Sequence, residues 1–206
     1  MSRSLLIVPV LHNAADLGSL APHVREVYER LAGPSAWEEH RQAVEGLWNA
    51  VERLLAGRNL EPSKTRLYQD GLPVCNQVKQ IVEEVAARGS RNHILLNRLA
   101  QGGAQLEGTE DPVLLRLEYQ RIKQMLDAPP TERSSQPVGP DALNTAERDH
   151  FIAAQIDRTL QEGETGVLFV GLLHRVEDHL SPGIDFEFLL PRPQLEVRAR
   201  RPECQG

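Results

Sequence analysis

The residues of this chain best suited to chemistry stand at or just beyond the ends of short candidate strands. His12 follows residues 4–10, Gln69 and Asp70 close the run at 65–69, Glu107 with Glu110 and Asp111 follows residues 104–106, and His174 follows residues 167–170. Imidazole titrates near neutral pH, so either His12 or His174 could move a proton with a carboxylate orienting its ring. Imidazole and carboxylate oxygens together also suit a divalent ion such as Zn, Mn or Fe, which would acidify a bound water toward hydroxide. On that reading His12 and His174 are the expected metal ligands. Taken singly, a strand-end histidine serves equally well as a helix cap or a hydrogen-bonded structural group. The other five, His23, His40, His93, His150 and His179, carry no local pattern that sets them apart from surface residues.

Arg148 and Asp149 join these candidates from a helix. Asp149 precedes Ile152, Ala153 and Ile156 by three, four and seven positions, the spacing of one helical face, so its carboxylate should point at the core. An inward carboxylate needs a partner, for which Arg91, Arg148 or a histidine is available. Cys75 falls in the first turn of an expected helix, but apolar Val74 and Val78 flank it and no second cysteine stands three residues away, which favours a structural role. Chemistry of several common kinds finds no support, since no GxSxG elbow, HExxH, Walker A loop or GxGxxG follows any strand.

The elements that must position these groups follow from the apolar pattern. Residues 4–10 and 167–170 are continuous apolar runs of buried strands, 184–190 is the last strand, and 65–69 and 104–106 are short ones. Helices are expected over 22–31, over 35–56 from the Ser35-Ala-Trp-Glu38 capping box, over 73–88, and from Ser90 to Gly102. Two more should run from the Asp111-Pro112 cap to about 126 and from 141 to 162. Trp37, Val44, Leu47, Trp48, Val51, Leu54 and Leu55 form one stripe, with both tryptophans expected as core anchors; turned outward, the stripe could instead pair two subunits in a homo-oligomer. Alternation of strands and helices implies an α/β fold: a mostly parallel sheet of about five strands, covered by helices and helix-rich. Ligands of such sheets bind beyond the C-terminal strand ends, where the candidates converge.

Composition narrows the setting. With 206 residues, 40% hydrophobic and 25% charged, the chain is expected to form a single domain over residues 1–191, with a proline-rich mobile loop near 128–140 and a solvated tail at 192–206. Its formal charge of -6 supplies no basic field for nucleic acid or anionic lipid. The run at 5–11 is far short of the roughly twenty apolar residues of a bilayer span, so no membrane association is expected. Two cysteines and no leader pattern fit a cytoplasmic location.

Three separated segments, about a third of the chain, resemble the TraB/PrgY, ChaN and erythromycin-esterase group. Leu5-Leu-Ile-Val-Pro-Val-Leu-His12 looks like the group's opening strand-to-histidine element, and Lys64-Thr-Arg-Leu-Tyr-Gln-Asp70 occupies the place of its second strand. Glu147-Arg-Asp149-His-Phe-Ile-Ala-Ala and Gly166-Val-Leu-Phe-Val-Gly-Leu-Leu-His174 are similar to its late Glu-Arg-Asn/Asp helix and its strand ending in Gly-x-x-His. The resemblance implies paired site histidines at His12 and His174, an acid at Asp70, Arg148 and Asp149 as the helix residues that hold the site, and hydrolysis assisted by a metal. Pro9-Val10 replaces the group's Gly-Thr, and Asp70 replaces a Glu. Together with Glu107, these residues make up the expected catalytic set: His12, Asp70, Glu107, Arg148, Asp149 and His174. The expected function is hydrolysis of an ester, amide or peptide bond in a small-molecule or peptide substrate. The alternatives are a non-catalytic module that binds a small molecule or metal, favoured by the departures at Pro9 and Asp70, and a helix-mediated interaction protein.

Overall fold

The computed structural model describes residues 2–11, 16, 21–127 and 142–191. His12, the expected mobile loop at 128–140 and the tail at 192–206 lie outside the described residues. The strands are β1 (Arg3–Val10), β2 (Thr65–Gln69), β3 (Gln105–Leu106), β4 (Thr165–Gly171) and β5 (Ile184–Phe188). The helices are α1 (Ala21–Ala32), α2 (Ala36–Ala56), α3 (Val78–Ala87), α4 (Arg91–Gln101), α5 (Pro112–Asp127) and α6 (Ala142–Thr159). All five strands are parallel, in the order β3-β2-β4-β1-β5, so the α/β architecture expected from the sequence is the one formed. Among the described residues no helix is long and apolar enough to cross a membrane.

Both faces of the central strands β1 and β4 are buried, which is why these two are apolar without alternation, whereas the edge strand β5 leaves Asp185, Phe186 and Glu187 exposed. On one face Leu6, Val8, Leu67, Val167 and Phe169 lie beneath Val44, Trp48, Val51 and Leu55 of α2, Val82 of α3, and Leu95 and Leu96 of α4. On the other, Leu5, Ile7, Tyr68, Leu168 and Val170 meet Ile152, Ala153, Ile156 and Leu160 of α6. Each such side chain contributes about 1.5–3 kcal/mol by leaving water, against about 0–1 for a surface ion pair, so these two layers hold the sheet together. The α2 stripe thus packs on its own sheet. Trp48 is a fully buried anchor stacked on Phe169 at 6.4 Å, whereas Trp37 is half-buried beside His40.

Chain order and face together locate the crevice. The helices joining β1 to β2 and β2 to β3 contribute to the first layer, whereas α6, between β3 and β4, and Val176, between β4 and β5, belong to the second. The connections therefore switch face on either side of β4, which makes the C-terminal ends of β2, β4 and β1 the topological switch point at which sheets of this kind bind ligands.

Three local expectations change on folding. The helix expected over 73–88 begins only at Val78, because Pro73 and Val74 are taken up in pairing with Glu110, through a parallel bridge and a 2.8 Å bond from the Val74 N–H to the Glu110 carbonyl. Cys75 is consequently an exposed loop residue and not part of a first helical turn. The Ser35 capping box does not close: Glu38 pairs with Arg41 and Gln42, and the Ser35 hydroxyl donates to Glu39. Ser90 and Asp111 do cap their helices, accepting from His93 N–H and from the Val113 and Leu114 N–H groups.

Gly108 joins the loops after β2 and β3. A Cβ there would lie 2.6 Å from Val74 Cα and 2.7 Å from the Pro73 carbonyl, both backbone atoms that cannot swing away. Gly108→Ala should therefore destabilise the fold by about 1–3 kcal/mol through overpacking, whereas the same change at Gly46, with nothing within 4 Å, should not; denaturant unfolding of the two variants measures the difference.

Candidate functional site

β2 ends in Gln69 and Asp70, and the Asp70 N–H continues the ladder by donating to the Phe169 carbonyl of β4. Gly71 then takes φ +74°, a left-handed turn that glycine adopts without strain. The buried Asp70 carboxylate is held from two directions: Oδ1 accepts from Gln69 Nε2 at 2.6 Å and Oδ2 from the Gly171 N–H at 2.7 Å. β4 ends at Gly171, and a tight turn closed by the His174 N–H donating to the Gly171 carbonyl folds His174 back toward Asp70. His174 Nε2 lies 3.8 Å from Asp70 Oδ2.

From the other layer, α6 delivers Asp149, which is 2% exposed. Its Oδ1 is 2.5 Å from His174 Nδ1 and its Oδ2 accepts the Arg175 N–H at 2.7 Å. The partner that the inward carboxylate required is thus His174. Arg91 is committed to Glu45, Asn49 and Glu52, and Arg148 to Glu110. A proton on Nδ1 directed at Asp149 makes Nε2 the basic nitrogen of the neutral ring, facing Asp70.

Arg148 forks onto Glu110 with contacts of 2.5 and 2.7 Å, and Glu110 Oε1 also accepts the Gly71 N–H at 2.7 Å. Glu110 is fully buried and binds the turn after β2, the loop after β3 and helix α6 to one another. Burial opposes the Arg148 charge, but the hydrogen bond and charge of Glu110 outweigh it and raise the guanidinium pKa. For His174 burial again works against the cation. The Asp149 hydrogen bond and the Asp70 and Asp149 charges exceed it, with Arg148 opposing, and the ring's pKa is raised above 6.5.

The expected set is therefore gathered in part. Asp70, Arg148, Asp149 and His174 form one network, while His12 lies outside the described residues. Glu107 does not join it. Strand alternation puts Arg66 and Gln69 on opposite faces, and Glu107 follows Arg66, with which it pairs along with Glu164. Its place as the buried acid of the β3 loop belongs to Glu110, three residues on, adjacent to the Asp111 cap. Two amides outside the expected catalytic set also belong to the site: Gln69, already visible at the strand end, and Asn92, hidden in the first turn of α4, whose Nδ2 donates to Gln69 Oε1.

The chain matches no family model, no curated protein and no solved structure. The functional reading accordingly rests on the geometry of the chain itself. Toward a metal, His174 has the second partner usual for a ligating imidazole, a carboxylate on Nδ1. Among the described residues no group of three His, Cys, Asp or Glu is placed to hold an ion, so His174 and Asp70 would need a further ligand.

The His174 pairing sets a pH dependence. A pKa raised on folding stabilises the native state fully below the unfolded value near 6.5, and the contribution is lost as pH rises through the folded pKa. Denaturation midpoints of the wild type should decline from pH 6 upward to a plateau. His174→Gln should flatten that decline, and an undiminished slope in the variant would assign the effect to another group.

Proposed function

We propose that this protein is a cytoplasmic hydrolase of ester, amide or peptide bonds in a small-molecule or peptide substrate, with His174 as its acid/base. The reading is supported above all by one observation: a buried imidazole held by Asp149 on Nδ1 and facing Asp70 with Nε2, beyond the C-terminal end of β4. In this reading His174 Nε2 takes a proton from the attacking water and returns it to the leaving group. Asp149 fixes the ring's orientation and, with Asp70, stabilises the imidazolium formed in between. Arg148 and Glu110 act through position, holding the ends of β2 and α6 at fixed separation. A divalent ion such as Zn, Mn or Fe, held by His12 and by His174 through Nε2, would take the place of this general base, since Nε2 either binds an ion or accepts a proton, and would supply the acidity that activates the water.

A second reading draws support from Asp70 itself. Both of its oxygens already accept hydrogen bonds, from Gln69 and Gly171, which fixes the carboxylate in place. That suits a non-catalytic module of the same fold that binds a small molecule or metal.

Two measurements separate these readings. Hydrolysis of a panel of p-nitrophenyl esters, amides and peptides should fall by about 10²–10⁴ in His174→Gln, with the variant folded; equal rates in wild type and variant would refute the catalytic role. Metal content of wild type against the His12→Ala/His174→Ala double variant decides the cofactor: near-stoichiometric metal lost in the variant establishes the ion, and binding without turnover selects the module.

A further inference from the structure

The hydrogen bonds beside Asp70 have a direction. Asp70 Oδ1 can only accept, so Gln69 must turn its Nε2 toward it, which leaves Gln69 Oε1 as an acceptor. Asn92 must in turn present its Nδ2 to that oxygen. Each amide thus donates toward the carboxylate, and the series ends on Asn92 Oδ1, a buried carbonyl oxygen with no hydrogen-bond partner. Asn92 is 1% exposed. Reversing its amide to satisfy this oxygen would set two acceptors against each other at Gln69.

A second unmatched atom belongs to the same layer. Trp48 Nε1, a donor without a partner, sits on the fully buried indole that stacks on Phe169, and Phe169 is the register neighbour of Gln69 across β4 and β2. Burying a polar group unpaired costs about 1–3 kcal/mol. One unmatched acceptor and one unmatched donor against the same register pair call for a group that both gives and takes a hydrogen bond. A hydroxyl does both, whereas an ammonium has no acceptor.

We infer that Asn92 and Trp48 form a specificity subsite for a ligand hydroxyl, which donates to Asn92 Oδ1 and accepts from Trp48 Nε1. The inference rests on the proposed site at the ends of β2 and β4, from which Gln69 and Asp70 lead directly to this position. The ligand class is a carbonyl compound bearing a hydroxyl, and an analogue without it leaves both protein atoms unmatched. Both atoms are closed to water in the ligand-free chain.

Binding of three amides that differ in one group tests this: glycolamide carries the hydroxyl, acetamide a hydrogen and glycinamide an ammonium. Each is titrated into ¹⁵N-labelled full-length protein while the Asn92 side-chain and Trp48 indole resonances are followed. Glycolamide should shift both and bind at least about tenfold more tightly than the other two, a modest part of what hydroxyl-reading sites achieve. Asn92→Ala should reduce that preference to about threefold or less. Should Asn92→Ala fail to fold, Trp48→Phe, which keeps an aromatic ring and removes only the donor, should reduce it as well. Equal shifts from glycolamide and acetamide overturn the subsite, as does a preference for glycinamide. No shift from any of the three overturns it too and leaves an internal water as the occupant. The outcome is independent of turnover: an active hydrolase indifferent to the hydroxyl sinks the subsite alone, and a hydroxyl preference without ester or amide hydrolysis sinks the catalytic reading alone.

Discussion

Three carboxylates, Asp70, Glu110 and Asp149, are almost wholly removed from water at the C-terminal end of the sheet, and a buried charge must be matched or the fold does not form. The matches come from separate parts of the chain. Glu110 of the β3 loop is met by Arg148 of α6 and the Gly71 N–H after β2, Asp149 of α6 by His174 after β4 and the Arg175 N–H, and Asp70 by Gln69 and the Gly171 N–H. Removing one member of such a pair leaves the other uncompensated, which typically costs about 3–5 kcal/mol. The site is therefore also a clasp, tying β2, β4 and α6 together where apolar packing of the sheet runs out.

That double use shapes the chemistry. His174 is held on one side by Asp149 and faced on the other by Asp70, so the ring's orientation and its preference for the protonated form have the same origin. Asp70 orders the amides on its far side in the same way, since an acceptor-only carboxylate dictates the sense of every hydrogen bond leading to it. Gln69 and Asn92 follow from that, and the unmatched oxygen at the end of the series is its consequence.

Local patterns made most of the elements legible. The runs at 4–10 and 167–170 read as buried strands because both of their faces are covered, and Asp149 read as inward-facing because its spacing to Ile152 and Ile156 is set by helical geometry. Where the reading diverged, another partner had intervened. Two of these partners are distant in sequence: pairing with Glu110 drew Pro73 and Val74 out of the expected helix, and Arg66 drew Glu107 away from the other acids. The third is local, since Arg41 and Gln42, one turn further along the helix, drew Glu38 out of its capping box.

What the sequence determined by itself is what depends on neighbours along the chain: strand and helix identity, the parallel α/β class that their alternation requires, the caps at Ser90 and Asp111, and the face of Asp149. Tertiary structure alone decided that β4 inserts between β1 and β2, that Asp149 closes on His174 and not on Arg91 or Arg148, that Glu110 and not Glu107 is the buried acid, and that Asn92 reaches Gln69. The reason is physical. Periodicity and capping act over three or four residues, whereas these pairings are separated by about twenty or more positions and are selected by which charges the packed layers seal from water.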